Sequence, residues 1–330
     1  MPRGIRRSRK PGHPKMSDGI QLDAAVLACY EALLRSSSMH RLCEGLPEAL
    51  SDTIGYLRSM PAEFQITWFR DPTPERIGED PAEAMANAVN DTVEWLGFAH
   101  RSVAYRAHEL ATEFVRALNA RSYPTVVFSA RALLELAALL HLQLKSILGH
   151  AAAIGALERE DLEGFTLLPQ SRKQDIAKTV FEAWKEIRMS SAKTRFNWLA
   201  AWPFGSGHLA LNFSEKNLPE HLRQDHVLKA IDKLEMSGPR PQNATFRLYY
   251  EMICDFVHPN LGSIVIFIDQ ACPAGPNKWL YVLHRKTKSQ EVTQLVLEAV
   301  SIPVREALRI LQADLVELDR EYERLRKTLR

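Results

Sequence analysis

The sequence predicts an all-α fold: a helical bundle with a long C-terminal helix and a small appended β-hairpin. Three observations carry this expectation. Apolar residues recur at helical spacing along most of the chain. Runs rich in β-formers are confined to two stretches flanking Pro273, Ala274, Gly275 and Pro276. The C-terminal segment carries Val304, Leu308, Leu311, Leu315, Leu318, Tyr322, Leu325 and Leu329 at alternating spacings of four and three, a heptad stripe.

In chain order, Gln21 to Arg35 has a helical period through Leu22, Val26, Cys29, Tyr30, Leu33 and Leu34. Leu42 to Leu57 is a weaker helix, and Ala62 to Phe69 reads equally as a short helix or a strand. Asp71, Pro72, Thr73 and Pro74 break the chain. Asp80 as N-cap, Pro81 at the first helical position and Glu83 in the first turn then open one long helix to about Ala120, with a possible bend at Gly97. Thr125 to Leu148 is apolar almost all round and therefore central. Ser171 to Ile187 is amphipathic, Ala201 to Leu222 is irregular, and Gln224 to Met236 and Asn243 to Val257 are helical. Ser263 to Asp269 and Trp279 to Arg285 form the expected hairpin strands. Pro303 is expected to kink or restart the last helix. The expected division is a basic tail at 1–18, an N-terminal helical region at 19–79, a helical core at 80–262, the hairpin at 263–287 and the heptad helix at 288–330. The heptad stripe needs a partner, either another helix of this chain or a second protomer in a homodimer through residues 304–329.

Composition narrows the function classes. A chain of 330 residues with 46% hydrophobic content can bury one large core or two smaller ones. The formal net charge of +2 conceals an asymmetry. Arg3, Arg6, Arg7, Arg9, Lys10 and Lys15 precede the first acid, Asp18, so the remainder is slightly acidic. Such a tail, rich in Pro and Gly, reads as disordered: a solvated end, a start at Met16, or a contact to nucleic-acid phosphates. No apolar segment follows it, so no secretory signal is expected. Arg131, Glu135, His141 and Lys145 interrupt the most apolar window, which argues for a core helix over a membrane span. Cys29, Cys43, Cys254 and Cys272 show no CxxC spacing, so neither a disulfide framework nor a zinc site is expected, and a cytoplasmic location follows.

The chain has no phosphate-binding loop with its lysine, no dinucleotide fingerprint, no HExxH, no GxSxG and no kinase signature, so no cofactor or metal is expected. Gly205, Ser206 and Gly207 follow no convincing strand and read as a turn. Trp198, Trp202 and Phe204 beside it could stack bases or anchor a loop. Two helices carry the remaining candidates. On one, Arg131 and Glu135 lie four residues apart in apolar surroundings, so they line a cavity, face another polar group or brace the core. On the other, Tyr250, Cys254 and His258 share a face, while Arg247, Glu251 and Asp255 make a parallel charged ladder. His258 reads either as a catalytic or ligand residue or as a cap on the last helical carbonyls.

The R-x-x-L-E of Arg131 to Glu135, followed by Tyr250, Cys254, His258, Pro259 and Asn260, resembles uncharacterised bacterial helical families near the HEPN superfamily. The likeness covers roughly residues 80–265. It implies a bacterial defence or toxin–antitoxin protein that binds RNA or cleaves it as a metal-independent ribonuclease, with an antitoxin or other protein partner. In that chemistry a histidine moves the proton of the attacking 2′-hydroxyl or the leaving group, and an arginine neutralises the phosphorane. The resemblance assigns those roles to His258 and Arg131, with Glu135 and Tyr250 orienting them. The chain departs from the family's short Arg–His spacing: Arg247 and His258 are ten residues apart, and Arg131 lies on another helix. Closer pairs (Arg6 or Arg7 with His13, Arg35 with His40, Arg101 with His108) arise readily by chance in a chain of this composition. The alternative is a non-enzymatic helical scaffold.

Overall fold

Helical periodicity becomes helix wherever an apolar stripe has something to cover it. A computed structural model describes residues 21–36, 40–65, 81–191, 226–236, 243–258, 261–276, 278–284 and 289–328. Expectations for the basic tail, the breaker at 71–74, the Asp80 cap, the segment with Trp198, Trp202, Phe204 and Gly205, and Pro259, Asn260 and Leu329 fall outside these residues. The described helices are α1 (Ala24–Ser36), α2 (Leu46–Ser59), α3 (Pro81–Asn119), α4 (Tyr123–Gly155), α5 (Arg159–Glu163), α6 (Gln170–Ser191), α7 (His226–Asp232), α8 (Phe246–Val257), α9 (Leu261–Val265) and α10 (Gln290–Thr328). Strands β1 (Ile268–Gly275) and β2 (Lys278–Leu283) form one antiparallel pair, so the all-α bundle with a hairpin is what the chain adopts.

α4 is the axis of the bundle. Its Leu133, Leu134, Ala137, Ala138, Ala151 and Ile154 are fully buried, and α3, α6, α7, α8 and α10 pack around it. By length and composition α4 could cross a membrane, yet half of its most apolar window is buried inside this bundle. Sequence reading ends the helix near Gly149. It continues to Gly155 because Ala151 and Ile154 still face the core.

α10 settles where the heptad stripe goes. Val304, Leu308, Leu311, Leu315, Leu318 and Leu325 are fully buried and Tyr322 nearly so. α10 packs chiefly on α4 and also meets α1, α2, α3 and α8. The described residues of the stripe are therefore covered by this chain's own helices, the first of the two partners the heptads allow. Pro303 does not restart the helix: α10 runs unbroken through it, with Pro303 itself buried. Each leucine so buried contributes about 1.5–3 kcal/mol. One apolar cluster contains residues from α1, α2, α3, α4, α6, α7, α8 and α10.

The hairpin expectation needs one correction. Ser263 to Asp269 does not form the first strand. Residues 261–265 make the helical turn α9, which delivers Ile266 into the core at 2% exposure. The strand begins at Ile268 and pairs Ala271 with Tyr281 and Cys272 with Leu280. Beyond its first residues the hairpin is exposed, including Trp279, Leu280, Tyr281, Val282 and Leu283.

Close packing makes α3 and α10 sensitive at one point. A Cβ built on Gly97 would lie 2.7 Å from the Tyr322 ring and 2.9 Å from the Phe64 ring. On α2, Gly55 has nothing within 4 Å of that position. The two alanine substitutions are expected to have opposite signs. Gly55→Ala raises stability by up to about 1 kcal/mol through helix propensity. Gly97→Ala lowers it by about 1–2 kcal/mol, because aromatic displacement outweighs the same gain. Paired thermal melts check both.

Candidate functional site

The strongest polar convergence joins α4 to α8. α8 begins at Thr245, whose side chain accepts from the Leu248 amide at 3.2 Å. Its apolar face, Phe246, Tyr249, Tyr250 and Ile253, is buried, and this turns Tyr250 toward α4. Arg131 Nε donates to Glu135 Oε1 at 2.8 Å, and Arg131 Nη2 donates to the Tyr250 hydroxyl at 3.0 Å. That hydroxyl donates onward to Glu135 Oε1 at 2.8 Å. The guanidinium also lies over the Tyr250 ring, 5.3 Å from its centre. Residues more than a hundred positions apart thus close a three-membered network. The Arg131 and Glu135 side chains each remain 30% exposed. The pair thus faces another polar group and in doing so ties α4 to α8.

Electrostatics fixes the protonation states. Burial pulls the Arg131 pKa down, but the Glu135 hydrogen bond and charge outweigh it and hold the guanidinium above its usual range. Burial raises the Tyr250 phenol, and donation to Glu135 raises it further, so the hydroxyl keeps its proton. Burial likewise raises the Cys254 thiol, against the opposing pull of the Arg131 charge. Cys254 is a protonated neighbour here, not an activated nucleophile. The network is electrically neutral, with a fixed cation at its open edge. At this exposure the ion pair itself is worth roughly 0.2–1 kcal/mol.

His258 does not join this network. It caps α8 in an extended conformation, and its backbone N–H donates to the Cys254 carbonyl at 2.9 Å. The residue is exposed, and among the described residues its imidazole makes no hydrogen bond or ion pair. Eight residues of helix separate it from Tyr250, about 12 Å along the axis. The structure therefore brings together Arg131, Glu135 and Tyr250 of the four candidates.

The remaining candidates separate. Arg101 Nη2 lies 3.3 Å from Asp319 Oδ1, and its guanidinium covers Phe64, whereas His108 meets Glu109 at 3.6 Å. Arg35 pairs with Glu31 on α1. Arg247, Glu251 and Asp255 are a solvated ladder, with Arg247 2.6 Å from Glu251.

Two histidines were not singled out in the sequence. His141 on α4 meets Asp314 of α10 at 3.0 Å. Burial pushes the Asp314 carboxyl up, against the pull of His141. His100 on α3 is fully buried, and neither ring nitrogen makes a hydrogen bond among the described residues. The one signal for the first pair is a histidine inside the most apolar helix.

Comparison of the chain with family models, with curated proteins and with solved structures gives no match.

Proposed function

We propose that the chain is an HEPN-like helical protein of a bacterial defence or toxin–antitoxin type system that binds RNA in the cytoplasm or cleaves it as a metal-independent endoribonuclease. The supporting observation is the Arg131–Glu135–Tyr250 network: a guanidinium held in one orientation at a half-open surface suits contact with a phosphodiester. In this reading Arg131 stabilises the crowded phosphate, Glu135 and Tyr250 fix its orientation, and His258 moves the proton. His258 stands at the exposed end of the helix that carries Tyr250, so cleavage of one phosphodiester requires that end to close on Arg131 when RNA binds, whereas binding of RNA alone does not. An antitoxin-type protein covering this face belongs to the same proposal.

Inducible expression in a bacterial host, with growth and total RNA followed together, tests it. The wild-type chain is expected to slow growth and fragment RNA. His258→Ala is expected to lower cleavage by about 10²–10⁴-fold, the usual contribution of a positioned acid or base. Because His258 is exposed, circular dichroism should remain unchanged. Normal growth and an intact RNA profile with the wild type would overturn the ribonuclease reading.

One observation favours a second reading. Trp279, Leu280, Tyr281, Val282 and Leu283 are consecutive, apolar and exposed on β2. A two-stranded hairpin alone is marginal in water, so this element suits a non-enzymatic interaction protein. That reading predicts no RNA phenotype in the same experiment.

A further inference from the structure

α4 presents a second polar face about 15 Å along its axis from Arg131, this time toward α10. Asp314 is 5% exposed, and among the described residues its only hydrogen-bond partner is His141. Both carboxylate oxygens lie near His141 Nδ1, at 3.0 and 3.3 Å. A carboxylate only accepts, so Nδ1 carries the proton and the tautomer is fixed. Nε2 is left as the working end of an exposed imidazole. The pair opens onto a cleft of about 510 Å³ that is also lined by Lys145, Leu148, Lys233 and Glu317. Lys145 stands one helical turn from His141, and Lys233 follows directly after α7. Neither lysine forms an ion pair among the described residues.

We propose that this cleft binds a nucleoside monophosphate or similarly sized sugar phosphate. Two unpaired ammonium groups and an imidazole held in register match a phosphate monoester, with Asp314 as a positioning residue behind His141. The volume falls in the range of small-ligand sites and far exceeds what a bare anion fills. Leu148 offers an apolar surface to a base, and Glu317 offers an acceptor to sugar hydroxyls. The site uses none of the Arg131 network and stands whether or not the chain acts on RNA.

Calorimetric titration of the full chain at neutral pH with adenosine 5′-monophosphate, ribose 5-phosphate and inorganic phosphate tests this. The nucleotide is expected to bind at least about tenfold more tightly than inorganic phosphate, and ribose 5-phosphate in between. His141→Gln, Lys145→Gln and Lys233→Gln are each expected to weaken nucleotide binding by about tenfold, the worth of one charged hydrogen bond. The two lysines are exposed, so their substitutions leave the fold intact; His141→Gln is read beside a thermal melt, because His141 is the partner of the buried Asp314. Absence of nucleotide binding, equal affinity for inorganic phosphate, or binding indifferent to all three substitutions would overturn the proposal.

Discussion

Leu315→Ala is expected to cost about 2–5 kcal/mol of folding stability, while Val316→Ala, one residue along, stays within about 0.5 kcal/mol. Leu315 is fully buried in the stripe of α10, with Leu311 and Leu318 above and below it on the same face. Removing its branched end forfeits the transfer of those carbons from water. It also leaves a cavity that a rigid helix-on-helix contact collapses only in part. Val316 points the other way and is 38% exposed, so the same kind of truncation removes little buried surface. Urea unfolding of the two variants beside the wild type measures the contrast directly. Similar midpoints for all three would mean that Leu315 is not buried by α10's contacts, whereas a midpoint that rises with protein concentration would assign the stripe to a dimer through residues 304–329.

The second large effect is a loss of stability in mild acid, traceable to His100. Its side chain is fully enclosed, and neither ring nitrogen has a hydrogen-bond partner. Asp319 approaches to 3.5 Å, but the same carboxylate oxygen is taken by Arg101 at 3.3 Å. Burial, reinforced by the Arg101 charge, therefore lowers the imidazole pKa from 6.5 to about 4. Between those values the unfolded chain binds a proton that the folded chain refuses. Stability is intact above about pH 6.5, falls as the pH drops toward 4, and loses no more from this group below that. The full loss is about 3 kcal/mol. Asp314, whose carboxyl is raised by burial, works in the opposite sense toward the lower end of the window. The clean measurement is thus the difference between wild type and His100→Gln in urea titrations from pH 7.5 to 4. The wild-type curve should fall more steeply. Parallel curves would show that His100 gains a proton as easily folded as unfolded.

What the sequence makes legible here is governed by distance along the chain. α3 begins at Pro81 as its local signals require, and α8 ends at Val257, one residue before the His258 that precedes Pro259. Such signals are read from neighbouring residues. The heptads of α10 declare that a face is covered without declaring by what; α4 and its neighbours supply the answer. Ile264, Val265 and Ile266 read locally as strand, yet the chain coils there because Ile266 has a place in the core. The candidate site divides the same way. Arg131 and Glu135 are one helical turn apart and could be paired on sight. Tyr250 shared a face with His258 on paper, but a helix that ends at Val257 cannot carry that face onward. Asp314 gave no sign at all: it lies among the leucines of the stripe, and its partner is 173 residues away.

The position of α10 in the chain has a consequence for biosynthesis. It is the last described helix, yet it touches α1, α2, α3, α4 and α8. Those helices leave the ribosome before the surface that covers them has been translated. At ordinary elongation rates the gap between the end of α4 and the start of α10 lasts on the order of ten seconds. Throughout that interval the oiliest helix of the nascent polypeptide has only part of its shelter. Maturation of this protein is thereby tied to whatever shields an unfinished chain, and a codon change that slows the ribosome between residues 156 and 289 lengthens the exposure without altering a single amino acid.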